Sequence, residues 1–336
     1  MKEQTLKSTR TILVKALATM FIAALIFVVT GFKSNASSVV QTAEGDKSAT
    51  IKWTDTTSSD YSIGWARVVE GNTSDASTKA RAMAEKRSVV VSGSTKSYTV
   101  KNLANDAQYA VVVRYSSGTA GKYYYYCSYN YYVYTKMTPV KNIKQVEWYK
   151  YAKSLHVEWD RKPGNNVQYE YRFTTNKGKV IKTEVISYNR FSHDIKNNQI
   201  YKVQVRAIRT PDSSYSTVGK QVTGWSAAEY MFTQPTITSA KVKGGKLTIK
   251  WDKINGATNY TIYASTKQSK GYKKVGSVSS KKGSFTIKKL KGKKFKAGKT
   301  YYVYVVANKK VKGKVITKDV TYTYQIKGGS VSEGYK

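Results

Sequence analysis

Apolar and polar residues alternate in short runs that recur three times along the chain. Ala49-Thr50-Ile51-Lys52-Trp53, Leu155-His156-Val157-Glu158-Trp159 and Leu247-Thr248-Ile249-Lys250-Trp251 are apolar at every second position, and each closes on a tryptophan. Successive side chains of a strand point to opposite faces, so each run predicts a half-buried strand. A second alternating run follows in every copy: Tyr61-Ser62-Ile63-Gly64-Trp65, Tyr169-Glu170-Tyr171-Arg172-Phe173 and Tyr260-Thr261-Ile262-Tyr263-Ala264. A third comes later, with Tyr109 ahead of Val111 and Val113, Tyr201 ahead of Val203, Val205 and Ala207, and Tyr301 ahead of Val303, Val305 and Ala307. The three tryptophans stand 106 and 92 residues apart. The pattern predicts three tandem all-β units of about 100 residues, the size of a β-sandwich.

These residues together resemble the fibronectin type III module: a Trp closing the second strand, a Tyr-x-apolar-x-aromatic third strand, and an apolar residue six positions before the Tyr that opens the sixth. Leu103 with Tyr109 and Ile195 with Tyr201 fit that spacing, whereas Leu290 and Tyr301 stand eleven apart and point to a longer connection in the third copy. Gly224-Trp225-Ser226 resembles the last-strand motif of many such modules, and Gly256-Ala257-Thr258-Asn259-Tyr260 the approach to the third strand in bacterial extracellular versions. The resemblance covers residues 37–327. It implies three seven-stranded fibronectin type III-like (Ig-like) sandwiches, over residues 37–137, 138–234 and 235–336. It also implies spacer, adhesion or ligand-binding work, with no family catalytic site to carry over. Thr138-Pro139 and Gln234-Pro235 open new copies where proline costs no ladder bond, and the linkers are too short for free tumbling. Fragment 235–336 is expected to fold alone.

The larger first spacing comes from an insertion after Val68-Val69. Ser74-Asp75 supplies a cap for a helix through Ala76, Ala80, Ala82, Met83 and Ala84, read as a short solvated surface helix on a tolerant loop, with the rim of a ligand site as the alternative.

Residues 1–36 read as an export signal: Lys2, Lys7, Arg10 and Lys15 are basic, residues 16–32 carry no charge, and Ser34-Asn35-Ala36 offers a cleavage site. An uncleaved anchor is the alternative, since seventeen uncharged residues are near the short limit for spanning. The product is therefore expected outside the cytoplasm, secreted or envelope-associated, meeting membrane only through this segment and acting as a monomer.

Composition removes most catalytic readings. The 336 residues include one cysteine, Cys127, and two histidines, His156 and His193, too few for a disulfide framework, a Cys-based zinc site or histidine catalysis. No catalytic residue, metal or cofactor is expected; a glycan-active enzyme with carboxylates distant in sequence is the remote alternative.

Charge adds more. Lys and Arg number 58 against 20 Asp and Glu, a formal +38. Residues 37–137 carry a net +4, residues 138–234 a net +8 and residues 235–336 a net +22, all of the last group's cations being lysine. Nine of them, Lys281, Lys282, Lys288, Lys289, Lys291, Lys293, Lys294, Lys296 and Lys299, fall within 281–299 without one acid. Such a cluster attracts anionic wall polymers, acidic glycans, anionic lipid or nucleic acid, and the lack of arginine argues against specific nucleic-acid recognition. The competing reading is a lysine-biased solvated surface.

A second candidate is the tyrosine-rich run 123–134. With Cys127 and Val133 on the core parity, the other parity displays Tyr124, Tyr126, Tyr132 and Tyr134, an aromatic face for sugars or a protein partner. Its alternative is tyrosine used simply as a good strand residue. Trp148-Tyr149-Lys150-Tyr151 is a weaker feature of the same kind. The expected function is non-catalytic binding or display at the cell envelope, with a purely structural spacer as the alternative.

Overall fold

The computed structural model describes residues 39–54, 60–116, 123–126, 132–149, 154–164, 166–318 and 320–336. The export-signal reading, Cys127, Lys150 and Tyr151, and the side chains of Tyr124, Tyr126, Trp148 and Tyr149 lie outside the described residues. The described residues form two compact units: those of Met1–Asn102, Gln108–Tyr134 and Ser213–Val218, and those of Leu103–Ala107, Thr135–Asp212 and Gly219–Lys336.

In the first unit, β1 (Val39–Gly45), β2 (Ser48–Trp53) and β5 (Ser97–Val100) make a three-stranded antiparallel sheet in the order β1-β2-β5. β3 (Tyr61–Arg67), β4 (Val90–Val91), β6 (Gln108–Ser116) and β7 (Tyr123–Tyr126) make a second, ordered β4-β3-β6-β7, with β8 (Tyr132–Tyr134) also on β6. Ile51 and Trp53 from one sheet and Tyr61, Ile63, Val111, Val113 and Val133 from the other are buried.

The outward parity of β6 is apolar as well, because the helix α1 (Thr73–Glu85) covers it. Ala76, Ala80 and Ala84, one helical turn apart, pack with Ala110 and Val112. Gly64 on β3 admits the helix: a Cβ there would stand 2.0 Å from the Ala80 carbonyl oxygen and 2.6 Å from the Ala84 nitrogen. The Ser62 hydroxyl donates to the Ala84 carbonyl at 2.5 Å, and the buried Arg114 pairs with Glu85 at 3.2 Å. The expected solvated helix is thus a packed third layer, since its small-residue stripe meets a glycine. Its cap also differs from the expected Ser74-Asp75: Asn72 Oδ1 accepts from the Asp75 N–H at 3.0 Å.

The second unit holds two more sheet pairs. β9 (Lys144–Tyr149), β10 (Ser154–Glu158) and β13 (Arg190–Asp194) form the sheet β13-β10-β9. It shares a core with β11 (Val167–Thr175), β12 (Val180–Ile186), β14 (Ile200–Arg209), β15 (Gln221–Val222) and β16 (Glu229–Phe232), ordered β12-β11-β14-β15 with β16 on β14. In the last pair, β17 (Ile237–Lys243), β18 (Lys246–Trp251) and β21 (Ser284–Ile287) are ordered β17-β18-β21. Their partner sheet is β20 (Lys273–Ser279), β19 (Asn259–Ser265), β22 (Tyr301–Val311), β24 (Tyr322–Lys327) and β25 (Ser330–Tyr335) in that order, with β23 (Lys314–Thr317) on β22. β25 is an addition beyond the expected seven strands. The fold is all-β, fibronectin type III-like sandwiches with one helical layer.

The same local devices recur. Trp53 meets Tyr61 edge-on with ring centres 5.2 Å apart, Trp159 meets Tyr169 at 5.5 Å and Trp251 meets Tyr260 at 5.4 Å. Tyr201 Oη accepts from the Lys196 N–H at 3.0 Å, and Tyr301 Oη from the Lys296 N–H at 2.9 Å. In the third copy the residue six before this Tyr is Phe295, buried against Tyr301 with ring centres 4.7 Å apart. The longer connection inferred from Leu290 is therefore an insertion ahead of an ordinary corner, and the corner itself keeps its spacing.

Within the second unit the two sandwiches share apolar cover. Ile200 and Phe232 join the last core, and Tyr322 joins the preceding one. Asn255 donates its N–H to the Asn198 carbonyl at 2.8 Å and accepts from the Ile200 N–H at 3.2 Å.

One recurring device has no counterpart among the sequence motifs. A glutamine side chain grips one residue of a late strand in each copy through both its polar groups. Gln41 donates to the Tyr134 carbonyl (2.7 Å) and accepts its N–H (3.0 Å); Gln145 does the same to Phe232 (3.0 and 2.9 Å). Gln234 donates to the Tyr322 carbonyl (2.5 Å) and accepts the N–H groups of Tyr322 (2.9 Å) and Thr321 (3.1 Å). The amide suits this task because it carries a donor and an acceptor in one plane. Gln234→Ala removes all three bonds and strands buried backbone groups, an expected loss of about 2–3 kcal/mol. A urea midpoint shift worth under about 0.5 kcal/mol would instead mean that water replaces the amide.

Candidate polyanion interface

β18 and β21 place the lysine-rich stretch. Leu247 pairs with Ile287 and Ile249 with Phe285, so Ile287 faces the core and the chain leaves the sheet at Lys288. A two-residue hairpin follows. Leu290 and Lys293 exchange backbone bonds of 2.9 and 3.1 Å across Lys291 (φ 49°) and Gly292 (φ 78°). Positive φ at both central residues is the geometry of the turn that matches strand twist, and glycine takes it without strain. Leu290 is buried and anchors the hairpin, while Phe295 closes its base by donating its N–H to the Gly245 carbonyl at 2.9 Å.

All nine lysines of 281–299 are exposed. The inward residues Ile287, Leu290 and Phe295 hold the backbone so that lysines occupy the water-facing positions between them. Residues 235–336 contain three acids, Asp252, Asp319 and Glu333, none within 281–299. Glu333 accepts from the Tyr324 hydroxyl at 2.7 Å; burial first, and this carboxylate second, push the Tyr324 phenol well up. Lys309, elsewhere on this sandwich, has its ammonium pushed down by burial and then by Lys202.

Two members of the tyrosine run, Tyr132 and Tyr134, have described side chains. Tyr132 is half-buried and packs against the Ala76-Ala80-Ala84 layer, because α1 covers the face it was expected to display. Tyr134 is half-buried, its backbone held by Gln41.

The histidines sit on the paired strands β10 and β13, His193 opposite Leu155 and His156 opposite Ser192. His193 is half-buried, its Nδ1 2.7 Å from the Asp194 carbonyl oxygen, and its ring lies 5.0 Å from that of Phe173. His156 is half-buried and lines an open cavity of about 430 Å³ with Glu158, Tyr188 and Arg190. Among the described residues no three His, Cys, Asp or Glu side chains gather into a metal-binding group. Trp225 of the Gly-Trp-Ser motif meets two guanidiniums over its ring, Arg172 at 4.3 Å and Arg206 at 4.7 Å, and Arg206 pairs with Glu170 at 2.6 Å.

No helix of the described residues is long and apolar enough to cross a membrane. No protein-family description matches the chain, and no curated protein does. Among solved structures, the crystal structure of chicken CNTN1 FN1-FN3 domains is similar at 14% identity and a TM-score of 0.31, over 86% of this chain and 97% of that one.

Proposed function

We propose that the chain is a non-catalytic extracellular protein that binds anionic wall polymer or acidic glycan through the lysines of its last sandwich. The observation that carries this reading is the exposed lysine hairpin, pinned by buried Leu290 and Phe295 in a stretch without acids. Lysine is a compact, strongly hydrated point charge, suited to diffuse attraction along a polymer and poorly suited to bidentate readout. Export through residues 1–36 would bring this surface to the cell envelope.

The test is equilibrium binding to heparin and to poly(glycerol phosphate) between about 50 and 200 mM salt. The logarithm of affinity should fall linearly with the logarithm of salt concentration. The variant Lys288→Gln, Lys289→Gln, Lys291→Gln, Lys293→Gln, Lys294→Gln should lower the slope by about 3.5, at about 0.7 per neutralised phosphate of a single-stranded chain. Its melting temperature should stay near that of the parent, since the five side chains are exposed. Salt-independent binding, or an unchanged slope in the variant, would return these lysines to ordinary solvated surface.

The second reading, a structural spacer without a ligand of its own, is favoured by the shared core of the second unit, which fixes one sandwich on the next. It expects no binding to either polymer.

A further inference from the structure

The outward face of the sheet β17-β18-β21 carries lysines on β17 and β18 and hydroxyls on β21. On β18, Lys246, Thr248 and Lys250 alternate with buried Leu247, Ile249 and Trp251, and so point away from the core. Register places Lys243 opposite Lys246, Lys241 opposite Thr248, and Ser239 and Ser284 on either side of Lys250. Thr248 and Thr286 are joined through their hydroxyls at 2.9 Å in the middle of the face. Lys241, Lys243, Lys246 and Lys250 are exposed, and none of the strand residues on this face is acidic or aromatic.

The equivalent faces of the other copies differ. β13-β10-β9 carries Glu158, paired with Lys144 at 2.8 Å, beside Arg190 and His156. On β1-β2-β5 the threonine pair recurs, Thr50 to Thr99 at 2.9 Å, with Lys52 on β2 as its single lysine, while Glu44 on β1 pairs in register with the buried Ala49 and so belongs to the other parity. The same strand positions thus hold one lysine in the first copy, mixed charge in the second and four lysines in the third.

The face is also continuous with the hairpin. The Phe295 N–H bonds the Gly245 carbonyl in the turn between Lys243 and Lys246, and the Lys294 stem lies 3.1–3.4 Å from where a Gly245 Cβ would stand. Lys288 follows directly on β21.

We propose that this sheet face and the hairpin form one ledge that holds a linear phosphodiester polymer lacking stackable bases. Same-face residues on a strand repeat every 7 Å or so and neighbouring strands lie about 5 Å apart. Cations are therefore presented in rows, as a chain with one charge per repeat unit requires. One hydroxyl hydrogen of the Thr248–Thr286 pair is spent in the bond between them, and the other is left to donate to a phosphate or polyol oxygen. The absence of aromatic side chains removes the platform on which nucleic-acid bases stack. This inference rests on the polyanion reading above and extends its site from the hairpin to the sheet.

The experiment measures salt slopes of poly(glycerol phosphate) binding for the full chain and three variants. One carries Gln at Lys241, Lys243, Lys246 and Lys250; one is the five-lysine hairpin variant; one carries Gln at Lys267, Lys310, Lys312 and Lys314, exposed residues outside the β17-β18-β21 face. The face variant should lose about 3 from the slope, as four lost phosphate contacts require, and the remote variant less than about 1. Poly(dT) should show the same slope without added affinity from its bases. If only the hairpin variant loses slope, the ledge is refuted while the polyanion reading stands. Equal losses in the face and remote variants would reduce the effect to net charge and overturn the ledge. Tighter binding of poly(dT) would overturn the choice of polymer, and no binding by the parent would remove the function reading itself.

Discussion

Gly64→Val is expected to separate α1 from the sheet it covers. The new Cβ would meet the Ala80 carbonyl oxygen at 2.0 Å and the Ala84 nitrogen at 2.6 Å, both backbone atoms that cannot rotate away. Either the helix lifts or β3 bends, and close packing leaves neither for free. Lifting uncovers Ala76, Ala80, Ala84, Ala110 and Val112 and opens the Ser62 bond to the Ala84 carbonyl. It also separates Glu85 from Arg114, which is 4% exposed. The expected loss is about 3 kcal/mol, at the upper end for overpacking. Hydrogen exchange should show the α1 amides deprotected while β2, on the other sheet, keeps its protection. A variant with parent-like exchange in α1 would show that the layer tolerates a side chain at Gly64.

That layer illustrates what the chain makes legible and what it does not. The alternating runs ending in Trp53, Trp159 and Trp251 are readable because one buried face imposes period two, and the structure places all three tryptophans against the first tyrosine of the following run. Residues Ala110-Val111-Val112-Val113 on β6 are apolar on both parities, a sign of a strand covered on both sides, and the alanine spacing of 76, 80 and 84 supplies the cover. Each sign is weak alone, and only the fold brings them together. Phe295 was within reach of the spacing rule, six before Tyr301 as Ile195 is six before Tyr201, but Leu290 offers a competing apolar residue in the same connection. The glutamine grips are not readable by spacing. Gln41, Gln145 and Gln234 stand 12, 14 and 17 residues before their tryptophans, because a side chain reaching another sheet tolerates drift that a ladder does not.

The candidate site divides in the same way. The lysines of 281–299 are contiguous, so counting finds them. Those of the sheet face belong to β17 and β18, some forty residues earlier in the chain, and become neighbours of the hairpin only through the Phe295 bond to Gly245. Local charge density therefore reads the loop and misses the ledge.

Trp251→Ala should weaken both sandwiches of the second unit together. Trp251 is 4% exposed and its ring closes edge-on against Tyr260, whose hydroxyl oxygen accepts from the Ile254 N–H at 2.6 Å. Removing the indole leaves a large void between sheets whose backbones are fixed by their ladders, and such a truncation costs about 3–5 kcal/mol. That is a large share of the stability of a domain of this size. The effect should not stay in the last sandwich. Ile200 and Phe232 are buried in the core that contains Trp251, and Tyr322 of β24 is buried in the core that contains Trp159. When the last sandwich opens, the preceding one loses Tyr322 and exposes Ile200 and Phe232. A fragment cut at Pro235 should be less stable than one begun at Phe232, since the cut discards Phe232 and the Gln234 grip on Tyr322. Calorimetry of the full chain should therefore show Trp251→Ala moving the transition of β9–β16 in step with that of β17–β25. Two transitions, with only the later strands shifted, would show that the shared residues carry no coupling and that each sandwich stands on its own core.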